Sequence, residues 1–220
     1  MRRLCMLALL AVLLGSCGTK KRTSYSKRYK STPKTTTVKK SEDSEDHLYP
    51  MPEDSGKFVK FPINSVEEYI ETFAEVAQFE MKAYGIPASI TLAQGILESG
   101  FGKGQLTMRS NNHFGIKCHK GWDGQRVYHD DDEKGECFRK YNHPMYSFRD
   151  HSIFLSSRSR YASLFELRKD NYKAWARGLK AAGYATDKRY PQKLISFIEQ
   201  YRLYEYDSMR ASVSGIMLTL

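Results

Sequence analysis

Residues 18–57 are rich in Lys, Ser, Thr, Glu and Asp with few large apolar side chains, whereas from Val66 onward apolar residues recur at helical spacing. A segment of the first kind cannot bury enough surface to offset the entropy of ordering its backbone. Folding is therefore expected over residues 58–207, a common domain size, with a flexible tether at 17–57 and a short tail at 208–220.

Charge follows the same division. The formal net charge of +10 suggests a polyanionic partner, but its distribution removes that reading for the body. Residues 1–40 carry 11 basic side chains and no acidic ones, leaving 24 basic against 25 acidic in the remainder. The body is close to neutral and lacks the electrostatic footprint of a nucleic-acid binder. The basic stretch belongs to the tether, where it can rest on anionic headgroups or wall polymer or simply be solvated.

The amino terminus reads as an export signal. Arg2 and Arg3 precede an apolar run from Leu4 to Leu14, followed by Gly15, Ser16 and Cys17. A basic start, a short apolar stretch and small residues before a cleavage point describe a secretory signal over residues 1–16. The run falls short of the roughly 20 residues that span a bilayer. Leu14-Gly15-Ser16-Cys17 resembles a bacterial lipobox, which implies cleavage before Cys17 and acylation of that residue. Acyl chains anchor through about 0.8 kcal/mol per buried CH₂. The expected location is the bacterial cell envelope, with the membrane reached through the lipid. Cys5 leaves with the signal, so Cys118 and Cys137 remain in an exported domain. Oxidising compartments favour pairing them, for about 3 kcal/mol in the chain-entropy model. A metal-binding pair is the weaker alternative, since no CxxC or HExxH spacing is present. No metal or organic cofactor is indicated.

The domain itself reads as mostly helical. Ser65 with Glu68 forms a capping-box pattern, and Val66, Tyr69, Ile70, Phe73, Val76, Ala77 and Met81 follow on one helical face. Gly85 ends that helix and Pro87 suits the first turn of the next, whose apolar face holds Ile90, Ala93 and Leu97. Residues 120–141 predict a β-hairpin around an acidic turn. Helical patterns return near 147–156, 171–182 and 191–201, with Gly183 as a stop and Pro191 as a start. Trp175, Phe197 and Ile198 fall at core positions of these patterns.

Glu98 follows the apolar run of the second helix and precedes Gly100 and Gly102. A helix end is a rigid mount, and apolar neighbours raise a carboxyl pKa by disfavouring its charged form. Those conditions supply a protonated acid near neutral pH. Taken alone, a glutamate so placed equally fits a local backbone or arginine contact. Ordered motifs around it decide between the two. They are Ala93-Gln94, Leu97-Glu98-Ser99-Gly100-Phe101-Gly102, Asn111-Asn112-His113-Phe114-Gly115-Ile116-Lys117, Phe138-Arg139-Lys140-Tyr141, and Gly183-Tyr184-Ala185-Thr186-Asp187 with Tyr190. Over residues 65–202 the chain resembles the bacterial glucosaminidases of glycoside hydrolase family 73.

That resemblance implies a mainly α (α+β), lysozyme-like helical domain with a small β-hairpin lobe beside a groove. It implies hydrolysis of the β-1,4 bond after N-acetylglucosamine in peptidoglycan, with Glu98 as the acid and Tyr184 near the scissile bond. The chain is expected to act as a monomer on glycan strands. Asn112, Phe114, Trp122 and Tyr190 are expected to line the groove. The second carboxylate departs from the family pattern: counting back from the turn Gly135 gives Asp131, with His129 where a threonine often stands. Asp130, Asp132, Glu133 and Glu136 remain alternatives. If the segment is strand, alternation turns Asp130 and Asp132 away from the face of Asp131. Retaining, inverting and substrate-assisted chemistry all remain open. Two other classes share these features: a lytic transglycosylase, which also uses one helix-end glutamate, and a non-catalytic lipoprotein that binds the wall. Replacing Cys17 by Ser is expected to move the protein from the membrane pellet to the soluble fraction; retention in the pellet contradicts the lipid anchor.

Overall fold

The computed structural model describes residues 51–208. The signal at 1–16, Cys17, most of the tether and the tail from 209 onward lie outside the described residues. Among the described residues the chain forms six α-helices: α1 (Val66–Tyr84), α2 (Ala88–Ser99), α3 (Gln105–Ser110), α4 (Pro144–Ser156), α5 (Tyr172–Ala181) and α6 (Tyr190–Gln200). Strands β1 (Arg126–His129) and β2 (Glu136–Arg139) form one antiparallel hairpin, in which Val127 pairs with Phe138 and His129 with Glu136. Two 3₁₀ turns, Ser159–Glu166 and Leu203–Asp207, complete the domain. This is the mainly helical, hairpin-bearing fold expected. No described helix is long and apolar enough to cross a membrane.

The fold is organised around α2. Every residue from Ala88 to Ile96 is buried, which is the pattern of a helix enclosed by other elements rather than one lying on a surface. It packs against α1, α5, α6 and the Leu203–Asp207 turn. Such enclosure requires close approach, and Gly95 provides it. A Cβ there would stand 2.3 Å from the Tyr69 hydroxyl of α1, which instead lies across the helix and bonds His113 Nδ1 at 3.0 Å. The amino end of α2 has a proline at its cap and so no local side-chain acceptor. Asp207, distant in sequence, supplies one: it accepts from Ser89 N at 2.8 Å and Ser89 Oγ at 2.6 Å. A carboxylate there also complements the helix dipole.

Local signals were mostly realised as expected. Ser65 accepts from Glu68 N at 3.1 Å, but the Glu68 carboxylate reaches Asn64 N at 2.8 Å rather than the cap residue's own N–H. Gly85 adopts left-handed backbone and its N–H bonds Met81 O. Pro87 occupies the cap of α2 rather than its first turn. Cys118 is joined to Cys137 with Cα atoms 5.3 Å apart, tying the loop after α3 to β2. The body also begins earlier than residue 58: Tyr146 Oη donates to Pro52 O at 2.6 Å and Asn142 Nδ2 to Asp54 Oδ1 at 2.9 Å. Helix α3 and both 3₁₀ turns carry too few residues to show a period in the sequence.

Gly95→Ala forces the Tyr69 ring out of its place against α2. Overpacking of this kind destabilises by about 1–3 kcal/mol, which a urea midpoint measures; an unchanged midpoint contradicts the close approach.

Candidate active site

Glu98 lies one residue before the end of α2. Beyond it the backbone turns left-handed through Gly100, Phe101 and Gly102, with φ of 56°, 47° and 87°. Ser99 fastens that turn, donating to Gly95 O at 2.5 Å and accepting from Gly102 N at 2.8 Å. No further helical turn covers Glu98, and its side chain opens into a groove of about 430 Å³. The groove is walled by Phe114 and Lys117 of the loop before the hairpin, Asp131 and Asp132 of the hairpin tip, and Tyr184 and Tyr190 from either side of the α5–α6 connection.

A short relay fixes the carboxyl. Gln94, one turn back on α2, donates to the Tyr190 hydroxyl at 3.0 Å, which donates to Glu98 Oε1 at 2.9 Å. Loss of solvation is the largest influence on Glu98: the crowd of protein atoms around its carboxyl disfavours the charged form although the groove leaves part of the side chain accessible. The Tyr190 hydrogen bond and the Lys193 ammonium pull the pKa down, while the negative charge of Asp131 pushes it up. Desolvation prevails, and the pKa stands above the usual carboxylate value. The Tyr184 ring lies against that of Tyr190 with centroids 5.7 Å apart. Burial first, and then the charge of Glu98, hold its phenol protonated well beyond the ordinary tyrosine range, so at working pH it is a hydrogen-bond donor and not a base.

The structure narrows the second carboxylate. Of the five candidates, only Asp131 and Asp132 line the groove. Both do so because residues 130–135 form the tip between the strands, so the alternation expected of a strand does not hold there. Asp130 caps the tip, accepting from Gly135 N at 2.7 Å. Glu136, in β2, pairs with Lys117 at 2.7 Å, and that hydrogen bond holds its pKa below the usual value. Lys117 gathers the cluster: its ammonium is 3.2 Å from Asp132 and 3.8 Å from Asp131. These three carboxylates lie close enough together to suit a cation, and that place is taken by the lysine.

Two expected lining residues lie elsewhere. Asn112 is buried; its amide donates to Ile116 O at 2.9 Å and Arg139 O at 3.0 Å, and its carbonyl accepts from Ile116 N at 3.0 Å. With those groups bound to backbone, it shapes the loop that carries Phe114 to Lys117. Trp122 stands away from this groove, beneath the Arg139 guanidinium at 4.3 Å, and lines a separate cleft with Tyr141 and Tyr146. Phe114 does reach the groove, but it is 5% exposed and stacks on His151 at 4.0 Å, which makes it wall more than platform. Tyr190 reaches it too, with its hydroxyl committed to Glu98. Sequence reading missed Lys117, whose partners come from the hairpin, and Arg160, which lies outside any quoted motif. It also missed His151, a buried imidazole on the groove wall that desolvation keeps neutral, with a pKa lowered to about 3.

A helical domain with a hairpin lobe and one desolvated acid facing carboxylates across a groove is the arrangement of a carbohydrate-cleaving domain. The chain belongs to the glucosaminidase family: residues 74–203 match the model described as mannosyl-glycoprotein endo-beta-N-acetylglucosaminidase. Among individual relatives, it is 33% identical over 165 residues to the exo-glucosaminidase LytG of Bacillus subtilis, covering 71% of this chain and 58% of that protein. It is 34% identical to the peptidoglycan hydrolase FlgJ of Vibrio parahaemolyticus, covering 60% of this chain and 46% of that protein. The chain thus spans about half the length of these curated relatives. A solved peptidoglycan hydrolase from Sphingomonas sp. A1 superposes with a TM-score of 0.57 at 29% identity, covering 69% of this chain and 99% of that one.

Tyr190→Phe removes the hydrogen bond that favours ionised Glu98. The pKa of Glu98 then rises further, and the alkaline limb of the pH–rate profile moves to higher pH. A limb that stays or moves down contradicts the role of Tyr190.

Proposed function

We propose that this chain is a peptidoglycan hydrolase that cleaves the β-1,4 bond after N-acetylglucosamine, with Glu98 as general acid. The observation that carries the reading is Glu98 itself, a carboxyl whose desolvation outweighs the Tyr190 hydrogen bond and the Lys193 charge at the foot of a groove. Family membership, and the names of relatives described as an exo-glucosaminidase and as peptidoglycan hydrolases, support the same substrate.

The chemistry follows from the groups present. Glu98 protonates the glycosidic oxygen as the bond to the anomeric carbon breaks. The sugar acquires positive charge, which Asp131 faces as an anion kept in place by Lys117. Asp131 is preferred to Asp132 because its charge reaches Glu98 while Lys117 holds Asp132 more closely. Water supplies hydroxide to the anomeric carbon, and its remaining proton restores the carboxyl. Tyr184, protonated throughout, offers its hydroxyl to the N-acetyl carbonyl. In the full chain we place this domain on a lipid anchor at Cys17, so that the tether sets which strands the groove can reach.

A positioned general acid contributes about 10²–10⁴-fold. Glu98→Gln is therefore expected to lower release of soluble fragments from purified peptidoglycan by at least about a hundredfold, and Asp131→Asn to lower it more than Asp132→Asn does. Unchanged release by Glu98→Gln removes the acid assignment; a silent Asp131→Asn beside an inactive Asp132→Asn moves the second carboxylate by one residue.

A further inference from the structure

The groove wall carries positive charge that the reaction above does not use. Two of the other cations on its wall are neutralised from within: Lys117 faces Asp131, Asp132 and Glu136, and Lys193 pairs with Asp187 at 2.7 Å. Arg160 also lines the groove, is exposed, and pairs with no carboxylate among the described residues. Its Nη2 is fixed by two neutral acceptors, Gly183 O at 2.5 Å and Tyr161 Oη at 2.8 Å. Those bonds hold the guanidinium still, against the peptide unit that leads into Tyr184, while the rest of its donor edge is uncommitted. Arg158 adds a second charge. It lies over the face of Phe154, a groove residue, at 3.6 Å and donates to Phe154 O at 3.1 Å. Among the described residues it too has no carboxylate in salt-bridge range. Phe154 and Tyr161 both pack on Tyr184, so these two cations adjoin the proposed reacting centre.

We propose that Arg160, backed by Arg158, forms an anion subsite that receives a carboxylate carried by the glycan. The inference rests on the hydrolase reading for its substrate and extends it: the preferred substrate is a glycan bearing acidic side groups rather than a neutral polymer of N-acetylated sugars. A guanidinium presents a planar fork that matches a carboxylate in bidentate geometry, and one already immobilised by protein acceptors loses less freedom when it binds. In peptidoglycan the carboxylate can come from the peptide attached to the lactyl group, or from the lactyl group itself once that peptide is removed. Both present the same chemistry to Arg160.

The test is a binding measurement in the full chain carrying Glu98→Gln, so that turnover does not consume the probe. Three soluble probes are titrated calorimetrically: a glycan fragment with intact peptides, the same fragment with its carboxylates converted to amides, and a peptide-free fragment with the lactyl carboxylate free. The intact fragment is expected to bind about tenfold more tightly than the amidated one, and Arg160→Gln, which keeps an amide N–H to hold Gly183, is expected to abolish that difference. Tight binding of the peptide-free fragment assigns the carboxylate to the lactyl group, and weak binding assigns it to the peptide. Equal affinity for intact and amidated fragments overturns the subsite, as does a preference that survives Arg160→Gln or an equal loss on both probes. If the unsubstituted chain cleaves no peptidoglycan while the binding preference stands, the hydrolase reading fails and the subsite does not.

Discussion

The enclosure of α2 is the constraint on which the rest depends. A helix buried along its length from Ala88 to Ile96 cannot rotate or slide without disturbing α1, α5 and α6 together, because close-packed interiors transmit small displacements. Gly95 permits the approach of Tyr69 and Asp207 terminates the buried amino end. The carboxy-terminal residues of such a helix are held with little freedom, and Glu98 is among them. Its height in the groove, its distance from Tyr190 and its desolvation all follow from that placement.

Charge around Glu98 is arranged in opposition. Tyr190 and Lys193 favour the ionised carboxyl, while loss of solvation at the carboxyl and the charge of Asp131 favour the protonated one. The pKa is raised because solvent lost from a charged group is replaced here by one hydroxyl donor. At the hairpin the situation reverses. Glu136 is held ionised by Lys117, and the same ammonium anchors the two tip aspartates. One side of the groove is thus suited to giving up a proton and the other to remaining negative, the division of roles on which general-acid cleavage of a glycosidic bond relies.

The sequence exposed features that are local in origin. Ser65, Gly85, Gly183 and Pro191 act through backbone geometry within a few residues, and their spacing announced the helix boundaries. The hairpin was legible from its two short strands and acidic turn. What distance in sequence concealed was the pairing of groups: Lys117 with carboxylates from the hairpin, Asp207 with the start of α2, and Arg160 with the Gly183 carbonyl. Asn112 was expected to meet substrate because an amide suits sugar hydroxyls, yet backbone groups of Ile116 and Arg139 claim it. Trp122 was expected there as an aromatic, but the loop that carries it turns toward Arg139. Alternation misjudged Asp131 and Asp132 because it applies only while the ladder continues, and the ladder ends at His129.

In the proposed reaction Glu98 protonates the glycosidic oxygen and water completes the cleavage. Mass spectrometry of the soluble products from purified peptidoglycan tests this most directly. The expected products are fragments that have gained one water and end in a reducing N-acetylglucosamine, formed by the unsubstituted chain and lost with Glu98→Gln. Anhydro-sugar ends, or reducing N-acetylmuramic acid ends, would contradict it.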